Sequence, residues 1–321
     1  MRILVVTNMY PYPERPAYGT FVYDEVRSLR AAGVDVDVLF VNGKLGRQEY
    51  LRGFGEVRRR ISSGHYDLVH GHYVFSGVIA RTQWRCPVVV TFHGIEAAMT
   101  WTRWVSRALA PLVDRVIVTS ERVRRDLGWP KAVVIPPGIE FDLFQPMPRD
   151  EARAALGLPQ DRQLVLWAGD PRPDKQVHIV EAAVAQLQDA GVPVELVLLS
   201  GQPHERVPLY MNACDVLVLT SQYEGSPMVV KEALACGLPV VAPPVGDVPE
   251  LIQGLEGCYL CERTPEDVAD KLRRSLNFGG RHNGREAIAH VERGRIAQQI
   301  VALYRELLAD KIHQSPTTKS Q

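Results

Sequence analysis

Short apolar runs alternate with longer stretches of helical periodicity along almost the whole chain, starting with Ile3-Leu4-Val5-Val6. This alternation is typical of parallel sheets covered by helices, because each parallel strand needs a crossover that returns the chain to the same edge. With 321 residues the chain is long for one domain and suits two. The pattern therefore predicts an α/β fold with two doubly wound, Rossmann-like domains.

The alternation is interrupted once, by a proline-bearing connector. Pro136-Pro137-Gly138 stops the first series, and a second series starts after Pro148. The tail is polar and is expected to be disordered. The predicted parts are an N-terminal domain at 1–147, a C-terminal domain at 148–313 whose end (294–313) packs on the N-terminal domain, and a tail at 314–321.

The predicted elements follow from the apolar runs and the helix-period stretches between them. Predicted strands are 2–7, 34–40, 67–70, 87–91, 115–119 and 132–135, then 163–168, 194–199, 215–219, 239–242 and 257–260. Predicted helices are 20–32, 50–62, 74–83, 97–110 and 120–127, then 150–156, 175–190, 206–213, 227–236, 265–277 and 283–311, the last interrupted near Gly294.

Composition excludes several functional classes. Lysines and arginines balance aspartates and glutamates at 37 each, and only 7% of residues are aromatic, so no basic, aromatic-rich surface for nucleic acid is expected. No apolar run approaches the roughly 18 residues that span a bilayer. The five cysteines are an odd number without a disulfide framework, which favours a reducing, cytoplasmic location.

The segment 221–237 is the most informative for function. Two carboxylates, Glu224 and Glu232, lie on either side of Gly225-Ser226-Pro227, directly after the apolar run 216–219. The order is strand, glycine turn, carboxylate, helix start and second carboxylate.

Such a helix start offers N–H groups and a positive dipole end to an anion, while the carboxylates can accept hydrogen bonds from sugar hydroxyls. Ser226 is predicted to be the N-cap and Pro227 the first helical residue. The alternative is an ordinary strand-to-helix connection with two surface glutamates, which any α/β protein can contain.

Other candidates also follow predicted strands, where open α/β sheets bind ligands. Gly19 can admit a phosphate closely, or Thr20 simply caps the first helix. Arg172 and Lys175 lie at the entry to a predicted helix and suit a diphosphate, with a solvated basic loop as the alternative. No G-x-G-x-x-G motif occurs there, which disfavours a dinucleotide-dependent dehydrogenase.

Three histidines lie at or just beyond the ends of two predicted strands, 67–70 and 87–91. For His93, beside Gly94, a structural and a functional role are both open. No acidic or histidine partner adjoins His70 and His72, so these two are expected to be structural or to form a cleft wall.

Together these segments resemble the retaining GT-B glycosyltransferases of family 4. Residues 223–242 resemble the hallmark segment of the family, 169–175 its G-R-x-x-x-x-K loop, 134–140 its inter-domain V-I-P-N-G-V-D and 91–94 its acceptor-side histidine. The resemblance implies two Rossmann-like domains facing across a cleft. It also implies transfer of a sugar from a nucleoside-diphosphate sugar to a hydroxyl of a glycan, a lipid-linked acceptor or a small molecule.

The resemblance implies roles for individual residues. Glu224 and His93 would be catalytic, Glu224 holding a hydroxyl of the donor sugar and His93 lying near the anomeric centre. Glu232 would accept the ribose hydroxyls, and Lys175 would neutralise the diphosphate. The other nucleotide-sugar-binding residues would be Gly19, Arg172, Gly225, Ser226, Pro227, Met228 and Val229.

The chain departs from the family pattern at three places that matter. The glycine pair of the family near the first helix is Tyr18-Gly19 here. The arginine of the family loop falls at Asp170, and Arg172 is offered as its substitute. The stretch 201–212 is short, and since this part helps to frame the base in relatives, the base is not implied.

No Asp-x-Asp motif follows a strand, and the pair Cys258 and Cys261 has no second ligand pair at zinc spacing. We therefore predict no metal ion and no cofactor, with the nucleotide sugar as a substrate.

Two alternatives to a transferase stay open, a GT-B nucleotide-sugar epimerase and a non-catalytic nucleotide-sugar-binding protein. A further expectation concerns peripheral contact with the anionic inner face of a membrane, since Trp101 and Trp104 lie near arginines and basic residues cluster at 44–60. The alternative there is a solvated face with tryptophans packed between helices.

Overall fold

The computed structural model of the chain describes residues 1–15 and 18–314. They form two compact units, one made of residues 1–138 with the segment from Arg293 onward, the other of Ile139–Glu292. Each unit is a parallel sheet with covering helices, as the sequence predicts.

The first unit contains a six-stranded parallel sheet with the order β2-β1-β3-β4-β5-β6, so its switch point lies between β1 and β3. β3 and β4 are buried along their whole length, as expected for central strands covered on both faces. The strands are β1 Arg2–Thr7, β2 Asp35–Phe40, β3 Leu68–His72, β4 Val88–Phe92, β5 Arg115–Val118 and β6 Val133–Val134.

One predicted helix of this unit, 97–110, is two helices in the structure. Met99 has an extended backbone (φ −81°, ψ 129°), and the Thr102 hydroxyl donates to the carbonyls of Glu96 and Met99, which fixes the break. The helices are α1 Thr20–Ala31, α2 Gln48–Ser63, α3 Val74–Arg81, α4 Ile95–Ala98, α5 Thr100–Leu109 and α6 Glu121–Leu127.

The second unit contains a five-stranded parallel sheet with the order β11-β10-β9-β7-β8 and a switch point between β7 and β9. A five-residue helix, α11, was not predicted from the sequence. The strands are β7 Gln163–Ala168, β8 Val194–Leu199, β9 Val216–Val218, β10 Val240–Ala242 and β11 Tyr259–Leu260. The helices are α7 Arg149–Leu156, α8 Val177–Asp189, α9 Val207–Ala213, α10 Met228–Ala235, α11 Val248–Ile252, α12 Pro265–Phe278 and α13 Gly284–Ala287.

The chain passes between the units at Gly138, before the boundary expected at 147. Ile139 and Phe144 belong to the core of the second unit, and the N–H of Met147 donates to Oδ1 of Asn212 on α9 at 2.9 Å. The proline-bearing connector is therefore packed structure of the second unit.

The last helix, α14 (Arg293–Gln314), packs on the first unit. Its buried face, including Ile296, Ile300 and Tyr304, joins a core with Ile3 and Val5 of β1. Most of the predicted tail lies outside the described residues. Among those described, no helix combines the length and the apolar run that crossing a bilayer requires.

Candidate active site

The loops that follow β7 and β9 meet at the switch point of the second sheet. The hydroxyl of Thr220, just beyond β9, donates to the carbonyl of Lys175 at 2.9 Å. The N–H of Gln222 donates to the carbonyl of Asp174 at 2.9 Å. These bonds join the predicted diphosphate loop to the start of the glutamate segment.

The charged ends of Lys175 and Glu224 are in direct contact. Nζ of Lys175 donates to Oε1 of Glu224 at 2.5 Å, and the side chains are 17% and 15% exposed. Lys175 is the last residue of a 3-10 turn at Pro173–Lys175. Gln176 then has a left-handed conformation (φ 48°), so α8 begins only at Val177. The structure thus unites one candidate from each of two predicted loops.

The start of α10 differs from the prediction. Pro227 is the N-cap and the helix begins at Met228, so the assignment of Ser226 as N-cap is wrong. The Ser226 hydroxyl donates to Oδ2 of Asp247 at 2.5 Å instead. No side chain caps α10, and its first-turn N–H groups therefore remain available to an anion.

Two buried charges lie behind this segment. Burial raises the pKa of the Asp247 carboxyl, and the nearby Lys231 ammonium opposes the rise. Burial lowers the pKa of Lys231 to about 8, although Asp247 and Glu232 favour its charged form. Burial therefore favours the neutral forms of both side chains, the Asp247 carboxyl group and the Lys231 amine, behind the Ser226 turn.

Glu232, on α10, is held by a histidine that the sequence analysis missed. Oε1 of Glu232 lies 3.1 Å from Nε2 of His204, and the two side chains are 10% and 30% exposed. His204 lies in the short stretch after β8, so the rule of inspecting residues beyond strand ends could have found it.

Gly246 and Gly225 show how tightly the glutamate segment is packed. A Cβ on Gly246, whose φ is +55°, would lie 2.6 Å from the carbonyl oxygen of Gly225 and 3.2 Å from that of Glu224. Gly246 therefore permits a close approach of two backbones directly behind Glu224.

Arg172 lies outside the Lys175–Glu224 contact. Its guanidinium pairs with Asp174 at 3.2 Å, and its side chain is half-exposed. Asp170, which occupies the arginine position of the family pattern, is exposed.

In the first unit, the histidines at the ends of β3 and β4 do have partners. Nδ1 of His72 lies 3.1 Å from Nε2 of His93, and Nε2 of His72 lies 3.3 Å from Oε1 of Glu25 on α1. The expectation that no acidic or histidine partner adjoins this pair is therefore wrong, because α1 and β4 bring such groups from distant parts of the sequence.

Among the described residues of this unit, Glu25, His70 and His72 could hold a metal ion, since their ligand atoms lie within 4.8 Å of one another. Both nitrogens of His70 already have hydroxyl partners, however. Nδ1 lies 2.6 Å from Oη of Tyr304 and Nε2 lies 2.7 Å from Oγ1 of Thr91. A metal ligand at His70 would have to give up one of these bonds.

A buried carboxylate holds the backbone of His93. Oε2 of Glu96 accepts the N–H groups of His93 and Gly94 at 3.1 and 3.0 Å. Burial raises the pKa of Glu96 to about 7, and these backbone bonds oppose the rise. Burial also lowers the pKa of His93 well below its usual value.

Gly19 has a structural reason to be glycine. It is the N-cap of α1 with φ +70°, so Thr20 is the first helical residue rather than the cap. A Cβ at Gly19 would lie 2.4 Å from the carbonyl carbon of Met9. The close approach of these two backbones requires glycine independently of any ligand.

The comparisons with known proteins agree with this architecture. The family model "Glycosyltransferase Family 4" matches residues 18–143, and the model "Glycosyl transferases group 1" matches residues 155–277. One match falls on each of the two predicted domains.

Curated relatives are glycosyltransferases. The chain is 28% identical over 302 residues to the D-inositol 3-phosphate glycosyltransferase of Mycobacterium leprae (strain Br4923), covering 77% of this chain and 71% of that protein. It is 29% identical over 270 residues to the enzyme of the same name from Mycobacterium tuberculosis (strain ATCC 25177 / H37Ra), covering 69% of this chain and 56% of that one. The match thus spans little more than half of the second relative.

Solved structures with the same fold include a sucrose-phosphate synthase from Thermosynechococcus elongatus, with a TM-score of 0.81, 22% identity and coverage of 97% of this chain and 100% of that one. Anabaena Alr3699/HepE in complex with UDP and glucose gives a TM-score of 0.74 at 18% identity, covering 95% of this chain and 100% of that one. The chain belongs to the family 4 glycosyltransferases of GT-B fold and is a transferase.

Proposed function

We propose that the chain transfers a sugar from a nucleoside-diphosphate sugar to an acceptor hydroxyl with retention of the anomeric configuration. The observation that carries this proposal is the contact of Lys175 with Glu224 at the switch point of the second sheet, next to the uncapped start of α10. A cation, a carboxylate and free helical N–H groups are the groups that a sugar diphosphate needs.

The leaving diphosphate gains negative charge in the transition state. Lys175 and the first-turn N–H groups of α10, at Met228 and Val229, would stabilise that charge because they are already in place. Glu224 would accept a hydrogen bond from a hydroxyl of the donor sugar. Before the donor binds, Glu224 holds the Lys175 ammonium in position.

Glu232 would accept hydrogen bonds from the ribose hydroxyls, and the contact with His204 would set the orientation of its carboxylate. His93 would contact the donor sugar near the anomeric centre, with its backbone fixed by Glu96. Arg172, half-exposed and paired with Asp174, would join the diphosphate only after leaving that pair.

The names of the relatives support a nucleotide-sugar donor and a hydroxyl acceptor. One structural neighbour is described with UDP-glucose and another with ADP and acarbose, whereas the curated relatives are named for an inositol phosphate. The two structural neighbours share a nucleoside diphosphate group with different bases, which supports a donor of this class and leaves its base open.

The experiment is incubation of the full chain with a panel of labelled nucleoside-diphosphate sugars and hydroxyl acceptors, followed by NMR of the product. Retention predicts a glycoside with the anomeric configuration of the donor. An inverted glycoside would refute retention, and an epimerised donor without acceptor would favour the epimerase alternative. Donor binding without transfer to any acceptor would favour a binding protein.

We also propose that transfer needs no metal ion, because Lys175 and the helical N–H groups supply the positive charge that a divalent cation would otherwise provide. Turnover in excess chelator should equal turnover in its absence. Complete loss in chelator, restored by one added divalent ion, would refute this.

A peripheral contact with an anionic membrane is a further proposal, supported by the outer face of α5. Trp101 and Trp104 are 54% and 63% exposed. The ring centroid of Trp101 lies 5.6 Å from that of Phe75, which is 36% exposed. Exposed tryptophans beside basic residues suit an anionic interface. The basic residues on the segment 44–60 are Lys44, Arg47 and Arg58, together with Arg52, which pairs with Glu49, and Arg59 and Arg60, which pair with Glu56.

Sedimentation with liposomes, with and without anionic lipid, tests this contact. Binding should require anionic lipid and fall at least tenfold in the double variant Trp101→Ser, Trp104→Ser. Trp84→Ser is the matched control, because Trp84 is also exposed but stacks on Arg81 elsewhere. Equal binding to neutral liposomes, or no binding at all, would refute the proposal.

A further inference from the structure

Two side chains beside His93 have no part in the function proposed above. His72 is fully buried at the end of β3, and Glu25 lies on α1 with its side chain 15% exposed. His93, His72 and Glu25 form a continuous line, with separations of 3.1 Å and 3.3 Å between the facing atoms.

We propose that Glu25 and His72 are positioning residues that fix the tautomer of His93, so that its Nδ1 presents a lone pair. This inference rests on the proposed contact of His93 with the donor sugar. In this arrangement His93 accepts a hydrogen bond from a hydroxyl of the donor and does not donate one.

The first step is the contact between Glu25 and His72. Oε1 of Glu25 and Nε2 of His72 are buried and face each other at 3.3 Å, and no described residue completes a hydrogen bond to either atom. The same oxygen lies farther from His70, 3.8 Å from its Nδ1. A buried carboxylate oxygen that faces a ring nitrogen is stabilised only if that nitrogen carries the proton. His72 is therefore the Nε2–H tautomer, and its Nδ1 is an acceptor.

The second step is the contact between His72 and His93. Since Nδ1 of His72 accepts, Nε2 of His93 must donate across the 3.1 Å separation. The two ring planes differ by 24°, which suits a hydrogen bond that lies in the plane of both rings. Nδ1 of His93 is then unprotonated and can accept a hydrogen bond from a ligand.

The groups around the line are compatible with neutral rings. His70 lies between the hydroxyls of Tyr304 and Thr91, and because a hydroxyl both donates and accepts, either tautomer of His70 is satisfied. Burial lowers the pKa of His70 and of His93 well below the usual value, and the neighbouring His72 adds to the effect in both cases. The contact with Glu25 therefore decides which ring nitrogen of His72, and in turn of His93, carries the proton.

The backbone also holds the rings in register. Tyr73, which follows His72, has φ 70°, a strained value for a residue that is not glycine, and its N–H donates to the carbonyl of Thr91 on β4 at 3.0 Å. The rings of Phe21 and Tyr73 lie 5.0 and 4.5 Å from that of His93. Strain at the end of β3, together with this packing, leaves the His93 ring little freedom to flip.

The direct test is NMR of the full chain labelled with 15N-histidine, with the His93 signals assigned by the variant His93→Gln. The ring-nitrogen shifts of His93 should report the Nε2–H tautomer in the wild type. In Glu25→Gln, whose amide can either donate to or accept from His72, they should report a mixture. The Nδ1–H tautomer in the wild type, or an unchanged pattern in Glu25→Gln, would overturn the proposal.

Kinetics provide the second test. His72→Leu removes the acceptor for His93 and should lower kcat at least tenfold while donor affinity, measured by calorimetry, changes less than threefold. His72→Asn places an amide oxygen near the former Nδ1 and should restore most of the loss. His65→Asn is the matched control, since His65 is exposed and lies outside this line. Equal kcat values in the two His72 variants would contradict the proposal.

The tests separate this inference from the function on which it rests. The tautomer is measured without turnover, so wild-type transfer by His93→Gln would refute the role of His93 in transfer and leave the tautomer result standing. A zinc ion bound stoichiometrically to the purified protein and lost in His72→Leu would make Nε2 of His72 a metal ligand, which would overturn the inference itself.

Discussion

At the scale of single residues, Glu224 combines two tasks, because it holds Lys175 and is proposed to hold the donor sugar. Glu224→Gln keeps the shape of the side chain and removes the charge. We expect kcat to fall roughly 10²-fold, as when one preorganised polar group is lost from an active site. The variant should still fold but with a lower melting temperature, because the two side chains are only 17% and 15% exposed and the Lys175 ammonium loses its charged partner.

The control for this variant is Glu262→Gln, which changes an exposed glutamate of the same unit. Its turnover should equal that of the wild type. Wild-type turnover in Glu224→Gln would remove Glu224 from the mechanism.

Glu96 gives a prediction about pH. Its pKa is about 7 in the folded chain against an ordinary 4.5, so between these values the folded state binds more protons than the unfolded state. Stability contributed by Glu96 is therefore complete below pH 4.5 and is lost as the pH rises through 7. Glu96→Gln replaces the ionisable carboxyl by an amide and so removes this pH-dependent loss of stability.

The free energy of unfolding of Glu96→Gln relative to the wild type should thus increase from pH 4.5 to pH 8, by roughly 3 kcal/mol at about 1.4 kcal/mol per pKa unit. Urea denaturation at several pH values measures it. Glu256→Gln, which changes an exposed glutamate of the chain, is the matched control for the substitution itself. A flat difference for Glu96→Gln would contradict the prediction.

At the scale of elements, the support behind the glutamate segment can be tested with two glycines. Gly246→Ala adds a Cβ that would meet the backbone of Gly225 at 2.6 Å, whereas Gly254→Ala adds one with nothing within 4 Å. Both glycines have positive φ, so both variants should lose about 1 kcal/mol of stability from backbone strain. Gly246→Ala should lose more, because its Cβ also meets backbone atoms of Gly225. Only Gly246→Ala should also weaken donor binding, by at least tenfold in calorimetry.

Equal donor affinity in the two glycine variants would mean that the packing of Gly246 against Gly225 does not position the donor site. Loss of donor binding in Gly254→Ala would show that strain alone causes the effect. Together the variants separate backbone conformation from contact.

The elements show what local sequence can predict. β1 at 2–7, β7 at 163–168 and β8 at 194–199 have the predicted bounds, because a short, mostly apolar run between breakers is enough to indicate a strand, whether it is central or at an edge. The break at Met99 was not predicted, since it depends on the Thr102 hydroxyl bonding to carbonyls of the preceding turn.

The candidate site shows the same limit. Strand ends predicted which loops to inspect, and the contact of Lys175 with Glu224 joins two of them. Ser226 was mistaken for an N-cap because its partner, Asp247, is 21 residues away in the sequence. Glu25 gave no signal at all, since a glutamate within a helix appears solvated until the fold places it against His72.

At the scale of the whole molecule, the last helix belongs to the unit that is formed by the beginning of the chain. Ile300 of α14 is 2% exposed and lies in the core that contains Ile3 and Val5. Ile300→Ala should therefore destabilise the first unit by about 2–5 kcal/mol, the usual cost of such a truncation. Leu276→Ala, on α12, is the reciprocal change in the second unit.

Hydrogen exchange with mass spectrometry of the full chain distinguishes the two units. Ile300→Ala should speed exchange in β1, β3 and β4, far away in sequence, and leave β7 and β9 as in the wild type. Leu276→Ala should do the reverse, because the two cores share no side chains. Faster exchange throughout the chain in both variants would contradict this prediction, because it would mean that the two units unfold together.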